Sequence, residues 1–236
     1  MRVDLLFQTH LAPLDRYPMS RVLVIVPVKN EQVPRITNYD VLAIDSGTKM
    51  GYDGPNVTRV KIDVSIPDAV LYGIDYAVLY DYDTVVFVDG GNRYPQTDIV
   101  RVVANLDYCD VAIGSRFLSE SANDEVFSRN AIRHFLRGAF NWLLRERLVT
   151  PIKDWTHAFR AYRLETLLNL RTEIRSCGFN TGQGIHLWLL VKMVLLNKHI
   201  HEVPIDYTKS IGKIKKEKIF EVLRVMEYAY LSNPLS

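Results

Sequence analysis

The chain has 236 residues, with 29 Lys and Arg against 27 Asp and Glu, and 48% of its residues are hydrophobic. This composition is typical of a folded globule that can bury a large core, and it excludes wholesale disorder. Cys109 and Cys177 are too few for a disulfide framework and lack metal-ligand spacing, so we expect buried thiols in a reducing compartment; a single bridge in a thermophile is the open alternative. The apolar runs at 22–28 and 187–196 fall short of the roughly 18 residues of a membrane span. They predict a cytoplasmic protein, or one that is peripheral on the cytoplasmic face of a membrane.

Charge is distributed unevenly along the chain. Residues 1–128 carry 11 Lys and Arg against 18 Asp and Glu, whereas residues 129–236 carry 18 against 9. Nucleic-acid-binding proteins are usually basic throughout or along one stripe, so we expect no nucleic-acid partner. An acidic half followed by a basic half indicates two ligand-facing surfaces of opposite character, although two solvated surfaces would give the same counts.

Short apolar strands alternate with helices in the first half of the chain. This alternation predicts an α/β domain with a mainly parallel central sheet flanked by helices. Ser65 is the predicted N-cap of the first helix because its hydroxyl can accept a backbone hydrogen bond. The predicted strands are 21–27, 40–45, 57–63, 84–89 and 111–114, and the predicted helices are 67–80, 97–106 and 128–147.

Polar residues follow three of the predicted strands, at 27–31 (PVKNE), 45–48 (DSGT) and 89–93 (DGGNR). Ligands of parallel sheets bind beyond the carboxyl ends of the strands. Acidic groups at neighbouring strand ends repel each other unless they hold ribose hydroxyls, a nucleobase or a metal-bound diphosphate. One such segment alone is more often a turn, but three together favour a nucleotide site. The chain has neither a G-x-G-x-x-G after a strand nor a P-loop motif, which argues against dinucleotide-binding Rossmann enzymes and P-loop NTPases.

Five segments, in chain order, resemble motifs of the family 2 glycosyltransferases of GT-A fold. VLVIVPVKNE (22–31), IDSGT (44–48) and VFVDGGNRYP (86–95) are similar to the family's P-x-x-N-E, V-D-D-G-S and M-D-A-D-x-x-x-x-P segments. DWTHAFRAYR (154–163) and HEVPIDYTKSIGKIK (201–215) resemble D-x-T-S-G-F-R and E-V-P-I-x-F-x-x-R-x-x-G-x-S-K of the polyprenyl-phosphate branch, typified by dolichyl-phosphate mannose synthase. The resemblance covers about residues 20–220.

This resemblance implies a single GT-A-like domain over residues 1–236. Residues of about 20–115 would form the nucleotide-sugar-binding half, and about 116–236 the acceptor-binding half with a basic C-terminal loop and helix. The implied reaction is inverting transfer of a hexosyl group from a UDP- or GDP-sugar to a polyprenyl or dolichyl phosphate at a membrane surface. Two alternatives stay open: a protein, glycan or small-molecule acceptor, or a degenerate protein that only binds nucleotide-sugar.

The resemblance also assigns roles to residues, with Asp89 and Arg116 as the catalytic pair and Asp89 as ligand of a divalent cation, Mg²⁺ or Mn²⁺. The implied nucleotide-sugar contacts come from strand ends and the C-terminal loop: Pro27, Asn30, Glu31, Asp45, Ser46, Gly47, Asp89, Gly91, Arg93, Lys209 and Lys215. The implied contacts to the acceptor phosphate are Arg116, Arg129, Arg133, Arg137, Thr156 and Gln183.

Several positions depart from the family pattern. Gly91 replaces the second metal-binding Asp, so a cation would have one carboxylate, which is a weak cradle. Arg93 could supply the positive charge to the diphosphate instead, because guanidinium binds phosphate in bidentate fashion. His157 and Ala158 stand where the family has Ser-Gly. No Glu follows Gln183 within reach. A phosphate acceptor is already ionised and needs no general base, although an inactive relative would lack one equally.

Two predicted helices have apolar faces. In the helix at 128–147 the arginines at every fourth position would line one side, with Ala131, Phe135, Ala139, Trp142 and Leu143 packed on the other. In the C-terminal helix, Ile219, Leu223, Met226 and Tyr230 share a face behind a lysine-rich segment. That face suits either the protein core or an anionic membrane surface.

Overall fold

The computed structural model describes residues 21–28, 31–47, 53–91, 94–118, 131–206 and 216–232, with the side chains of 131–137 and 216–218 left out. Within these ranges seven strands form one sheet in the order β3-β2-β1-β4-β6-β5-β7. The strands are β1 (Val22–Val28), β2 (Asp40–Asp45), β3 (Val57–Lys61), β4 (Thr84–Phe87), β5 (Val111–Ser115), β6 (Arg160–Arg163) and β7 (Ile200–Pro204). Only β6 runs antiparallel to its neighbours, so the predicted mainly parallel α/β sheet is confirmed.

Helices cover both faces of this sheet. The first begins after Ser65, whose hydroxyl accepts a hydrogen bond from the Asp68 N–H at 3.3 Å, as the sequence predicts. Residues 32–37 form no helix, which agrees with the short connection between β1 and β2. The helices of the described residues are α1 (Ile66–Leu79), α2 (Gln96–Ala104), α3 (Ala131–Leu148), α4 (Leu164–Leu168), α5 (Arg171–Ser176), α6 (Gly182–Leu195) and α7 (Lys216–Ser232), with a 3₁₀ turn at Asn105–Asp107.

Two hydrophobic clusters lie on opposite faces of the sheet, because successive side chains of a strand point to opposite sides. Leu23 and Ile25 of β1 face the larger cluster, which α1, α3, α6 and α7 complete. Val24 and Val26 face the smaller cluster, which α2 covers. A strand buried on both faces reads as a continuous apolar run, and that explains the sequence of β1.

Two residues of the predicted packed side of α3, Trp142 and Leu143, are wrong; Ala139 is half-buried, and the side chains of Ala131 and Phe135 lie outside the described residues. Trp142 and Leu143 are 59% and 44% exposed, whereas the buried stripe is Phe140, Leu144 and Leu148. These three residues recur every four positions and therefore share one face, which packs into the larger cluster beside α7. Trp142 and Leu143 lie on another side of α3 and face away from the larger cluster.

The predicted face of the C-terminal helix is also mostly outside the core. Ile219, Leu223 and Tyr230 are 45%, 53% and 62% exposed. The side of α7 that packs inward carries Val225 and Ala229, which are fully buried. Of the two alternatives for the predicted face, packing in the protein core is therefore wrong for these three exposed side chains.

No helix in the described part of the chain combines the length and the apolar character that crossing a bilayer requires. Both cysteines are free thiols. Cys109 is buried as expected, whereas Cys177 is only half-buried.

Candidate active site

The three polar segments of the sequence meet at one edge of the sheet. The strands β1, β2 and β4 run parallel and end there. The Ser46 N–H donates to the Val28 carbonyl at 3.0 Å, and the Gly91 N–H donates to the Gln32 carbonyl at 2.6 Å. These hydrogen bonds join the segment after β1 to those after β2 and β4. We call this rim the carboxyl edge.

Asp45 ends β2 with a buried carboxylate whose oxygens are both engaged. Oδ1 accepts the Gly47 N–H at 2.8 Å, and Oδ2 accepts the Arg59 guanidinium at 3.0 Å. The Ser46 hydroxyl donates weakly to the Val28 carbonyl at 3.4 Å, while Pro27 lies inside β1 opposite Ile44. The carboxylate is thus held in place, and its predicted contact with a nucleotide would be made beside the Arg59 cation.

The segment after β4 brings Gly90, the residue after Asp89, next to Glu31. A Cβ added at Gly90 would lie 2.7 Å from Glu31 Oε2 and 3.0 Å from Val28 Cγ1, so only glycine leaves room for the glutamate there. Gly91 has φ +84°, in the left-handed region that favours glycine. The backbone therefore gives a physical reason why position 91 is not the second aspartate of the resembled motif.

The candidate cation site rests on one carboxylate. The described residues contain no group of three or more His, Cys, Asp or Glu side chains that could hold a metal ion. Asp89 Oδ2 accepts a hydrogen bond from the Tyr94 hydroxyl at 3.3 Å. Magnesium commonly binds through one or two carboxylates, with substrate phosphates and water as its remaining ligands. Asp89 therefore fits a cation that a diphosphate brings with it.

A buried ion pair lies where β5 ends. The Arg116 Nε and Nη2 donate to the two oxygens of Asp154 at 2.8 and 2.7 Å, and Nη2 also donates to the Thr156 hydroxyl at 3.1 Å. Burial alone would raise the pKa of Asp154, but the Arg116 guanidinium overcomes this and holds it well below its usual range. Arg116 thus stands at the carboxyl edge already bound to a carboxylate, and its contact with an acceptor phosphate remains a prediction.

Glu202 of β7 fixes the backbone that carries this pair. Its two carboxylate oxygens accept the N–H groups of Lys153 and Asp154, both at 2.8 Å. Burial raises the pKa of Glu202 even though these backbone donors oppose the shift. The segment that starts at Lys153 is therefore held from both β5 and β7.

His157 continues this segment and is buried. Its Nδ1 lies 2.7 Å from the Gly114 carbonyl, which can only accept, so Nδ1 carries the proton. Nε2 then offers a lone pair to the Tyr94 hydroxyl at 3.0 Å, and that hydroxyl has one proton for this nitrogen and for Asp89 Oδ2. Burial, followed by the charge of Arg116, lowers the pKa of His157 to about 3, so the ring is neutral near pH 7.

Thr181 is the N-cap of α6, with its hydroxyl accepting from the Gly184 N–H at 3.1 Å, and a residue of α7 holds this cap in place. The carboxylate of Glu221 accepts the N–H groups of Asn180 and Thr181 at 2.6 and 3.0 Å, and the Thr181 hydroxyl donates to it as well. A Cβ at Gly184 would lie 2.3 Å from Glu221 Oε2, so the glycine makes this approach possible. Gln183 is half-buried in the same first turn.

A cavity of about 340 Å³ opens between α3 and the segment that precedes Asp154. Its basic side chains, Arg145 and Lys153, are exposed. The Oδ1 atom of Asn141 is buried there and has no hydrogen-bond partner in the described part of the chain. Apolar walls come from Phe117, Trp142 and Ile152.

The structure places some of the predicted site residues at the carboxyl edge, and others lie outside the described part of the chain. Asn30, Arg93, Arg129, Lys209 and Lys215 lie outside the described residues, as do the side chains of Arg133 and Arg137. Sequence reasoning gave no site role to several residues that contact partners distant in sequence: Arg59, Tyr94, His157, Glu202 and Glu221. Tyr94, His157 and Glu202 stand inside the motif segments at 86–95, 154–163 and 201–215, whereas Arg59 and Glu221 had no such signal.

Comparisons by sequence find no match, either to a protein-family model or to a curated protein. Solved structures do match. Glucosyl-3-phosphoglycerate synthase from Mycobacterium tuberculosis, with Mg²⁺ and uridine diphosphate, superposes with TM-score 0.57 at 17% identity, over 89% of this chain and 80% of that chain. The same enzyme with Mn²⁺, UDP-glucose and glycerol 3-phosphate gives TM-score 0.53 at 15% identity, over 91% of this chain and 79% of that chain.

A second class of enzyme shares the architecture. The 2-C-methyl-D-erythritol 4-phosphate cytidylyltransferase from Thermus thermophilus matches with TM-score 0.50 at 10% identity, over 87% of this chain and 98% of that chain. At such identities the likeness concerns the fold alone. The chain therefore has the α/β fold of the GT-A nucleotide-sugar transferases, which nucleotidyltransferases also use.

Proposed function

We propose that the protein is a glycosyltransferase that moves a hexosyl group, with inversion, from a UDP- or GDP-sugar to a polyprenyl phosphate. The observation that carries the proposal is the meeting of Glu31, Asp45 and Asp89 at the carboxyl edge of a GT-A-like sheet. Nucleotide ligands of open α/β sheets bind at this edge. Two solved structures of the same fold hold uridine nucleotides with Mg²⁺ or Mn²⁺.

In this proposal the acidic edge binds the donor. Glu31 and Asp45 contact the base and ribose, and Asp89 faces the diphosphate and any Mg²⁺ or Mn²⁺ that it carries. Such a cation stabilises negative charge on the departing nucleoside diphosphate. The remaining donor contacts are those assigned by motif: Pro27, Asn30, Ser46, Gly47, Gly91, Arg93, Lys209 and Lys215.

The transfer itself breaks one bond and forms one. A phosphate oxygen of the acceptor attacks C1 of the sugar from the face opposite the diphosphate, and the C1–O bond to the diphosphate breaks. The products are a polyprenyl phospho-sugar and UDP or GDP. A phosphate oxygen is already ionised, so no general base is required. Glu221 lies at the start of α6, but its carboxylate already accepts hydrogen bonds from Asn180 and Thr181. It is therefore not placed to act as a general base, which is consistent with an acceptor that needs none.

The cavity beside α3 suits an acceptor with an anionic head and an apolar chain. Arg145 and Lys153 supply positive charge next to Phe117 and Trp142, and Lys153 directly precedes the Asp154 that binds Arg116. Motif assignments add Arg129, Arg133, Arg137, Thr156 and Gln183 to this side. Apolar side chains that a membrane surface would cover are exposed on α3, just after its end, and on α7, which contacts α3. They are Trp142, Leu143, Val149, Phe220, Leu223, Tyr230 and Leu231.

The test is turnover of UDP-glucose and GDP-mannose with a short polyprenyl phosphate, with Mn²⁺ present and absent. We expect the nucleotide to be released only when the lipid is present. Asp89→Ala should abolish this release, whereas Asp107→Ala, a control at an exposed position, should leave it intact. Lipid-dependent release untouched by Asp89→Ala would overturn the site assignment.

Other outcomes would replace the proposal. Transfer to a sugar or serine hydroxyl, but not to the lipid phosphate, would identify a different acceptor class. Tight nucleotide-sugar binding without any release would identify a non-catalytic binder. Release of pyrophosphate from CTP would assign the chain to the cytidylyltransferases that share its fold.

A further inference from the structure

A series of contacts at hydrogen-bond distance links the carboxylate that faces the donor to the segment that carries the buried ion pair. It runs from Asp89 Oδ2 to the Tyr94 hydroxyl (3.3 Å), from that hydroxyl to His157 Nε2 (3.0 Å), and from His157 Nδ1 to the Gly114 carbonyl (2.7 Å). We propose that Tyr94 and His157 are positioning residues that orient Asp89 for the donor diphosphate and couple it to the Asp154–Arg116 pair. The inference rests on the proposed function of the carboxyl edge.

The hydroxyl of Tyr94 has one proton and faces two acceptors. The Gly114 carbonyl holds the His157 ring with its proton on Nδ1, so Nε2 offers a lone pair to Tyr94. Asp89 Oδ2 offers another, at the longer of the two distances. A diphosphate with its cation competes for the Asp89 oxygen and leaves the Tyr94 proton to His157. Donor binding therefore strengthens the hydrogen bond that holds the His157 segment.

The surrounding residues make this series of contacts rigid. Tyr94 and His157 are 9% and 3% exposed, and the Tyr94 ring packs on Phe159 with centroids 4.8 Å apart. Thr156, the residue before His157, accepts a hydrogen bond from Arg116 at 3.1 Å. A displacement of His157 is thus transmitted through one peptide unit to Thr156 and from there to Arg116. The close-packed interior has little free volume to absorb such a displacement.

His157 departs from the resembled motif. His157 stands where the resembled motif has serine, whose side chain is several bonds shorter. A serine would leave the Tyr94 hydroxyl without its imidazole partner. His157→Ser is therefore an informative variant, and Tyr94→Phe removes a single oxygen while keeping the ring that packs on Phe159.

The experiment compares Tyr94→Phe with Tyr162→Phe, a buried tyrosine whose hydroxyl makes no hydrogen bond to Asp89 or His157. The first readout needs no ligand: imidazole ¹⁵N resonances in the full-length protein. We expect the Nε2 resonance of His157 to shift in Tyr94→Phe and to stay in place in Tyr162→Phe. The second readout is calorimetric affinity for UDP with Mn²⁺, together with the separate KM and kcat for the sugar donor.

We expect Tyr94→Phe and His157→Ser to weaken UDP binding and raise the donor KM about 3- to 10-fold, the usual effect of one lost hydrogen bond, with a smaller change in kcat. Tyr162→Phe should leave both values within about twofold. If Asp89→Ala abolishes UDP binding while Tyr94→Phe changes neither the affinity nor the Nε2 resonance, the inference is wrong and the proposed function stands. If Asp89→Ala leaves UDP affinity unchanged, both are wrong.

Discussion

Arg116 binds Asp154 through two parallel hydrogen bonds, from Nε at 2.8 Å and Nη2 at 2.7 Å, and a third from its backbone N–H at 3.1 Å. Asp154 is fully buried, whereas the Arg116 side chain keeps 14% of its surface. The guanidinium thus has one side anchored and a small part of its surface at the carboxyl edge. These hydrogen bonds to Asp154 fix the position of the Arg116 cation at the carboxyl edge.

Asp154→Asn should lower the free energy of unfolding by about 3–5 kcal/mol, because it leaves the Arg116 charge buried without a counterion. The exposed pair of Arg171 and Asp75 supplies a control: Asp75→Asn should cost less than about 1 kcal/mol. Denaturant titrations of both variants measure the difference. Equal, small losses would show that the buried pair adds nothing to stability.

Gly91→Ala should destabilise the protein by about 1–2 kcal/mol, because a side chain is strained at φ +84°. Gly138→Ala should have the opposite sign. A Cβ at Gly138, inside α3, meets no atom within 4 Å, and alanine in a helix is favoured by roughly 0.5–1 kcal/mol. Midpoints of thermal unfolding would separate the two variants. A neutral Gly91→Ala would contradict the backbone explanation for the missing aspartate.

The stability of the fold should fall as the pH drops below about 6.5. Burial lowers the pKa of both His157 and His186 to about 3, so the folded state excludes a proton that the unfolded state takes up. The contribution is complete above the unfolded pKa and is lost as the pH falls towards the folded one. At pH 5 the loss is about 2 kcal/mol for each histidine.

Urea unfolding of wild type and His186→Asn at pH 7 and pH 5 measures this effect. The variant is expected to lose less stability between the two pH values than wild type. His199→Asn, at an exposed position, should keep the wild-type slope. Identical slopes in wild type and His186→Asn would contradict a neutral, buried His186.

Glu221→Gln should loosen the junction of α6 and α7 and cost about 1–3 kcal/mol, because hydrogen bonds to a charged group are stronger than those to an amide. Hydrogen exchange at the Asn180 and Thr181 amides, which donate to this carboxylate, reports the effect locally. Glu227→Gln on the exposed side of α7 is the matched control. Unchanged protection of both amides in Glu221→Gln would show that the Glu221 carboxylate does not hold the start of α6.

The sequence predicts β1 to β5 and the carboxyl edge for a local reason, but it predicts neither β6 nor β7. A buried parallel strand must be continuously apolar and its end polar, so β1, β2 and β4 are recognisable without knowledge of their partners. The meeting of their ends then follows from the geometry of parallel sheets. The motif resemblance names the same three segments, and the fold that it implies is confirmed.

The faces of α3 and α7 are not predictable in this way. Both helices carry apolar residues on more than one arc, so periodicity alone cannot say whether Phe140 or Trp142 packs inward; neighbouring helices decide. Tyr94 and His157 meet across 63 positions of sequence, and Glu221 reaches Thr181 across 40. No local pattern encodes such contacts, and the left-handed backbone at Gly91 becomes evident only when the loop after β4 is built.

A crystal structure with UDP and Mn²⁺ tests the central claim, donor binding at the carboxyl edge, most directly. The account predicts diphosphate density beside Asp89 and a ribose within reach of Asp45, with basic side chains of the second half of the chain against the phosphate oxygens. Nucleotide density at any other place on the molecule, with the edge between Glu31 and Asp89 unchanged and filled by side chains, would contradict it.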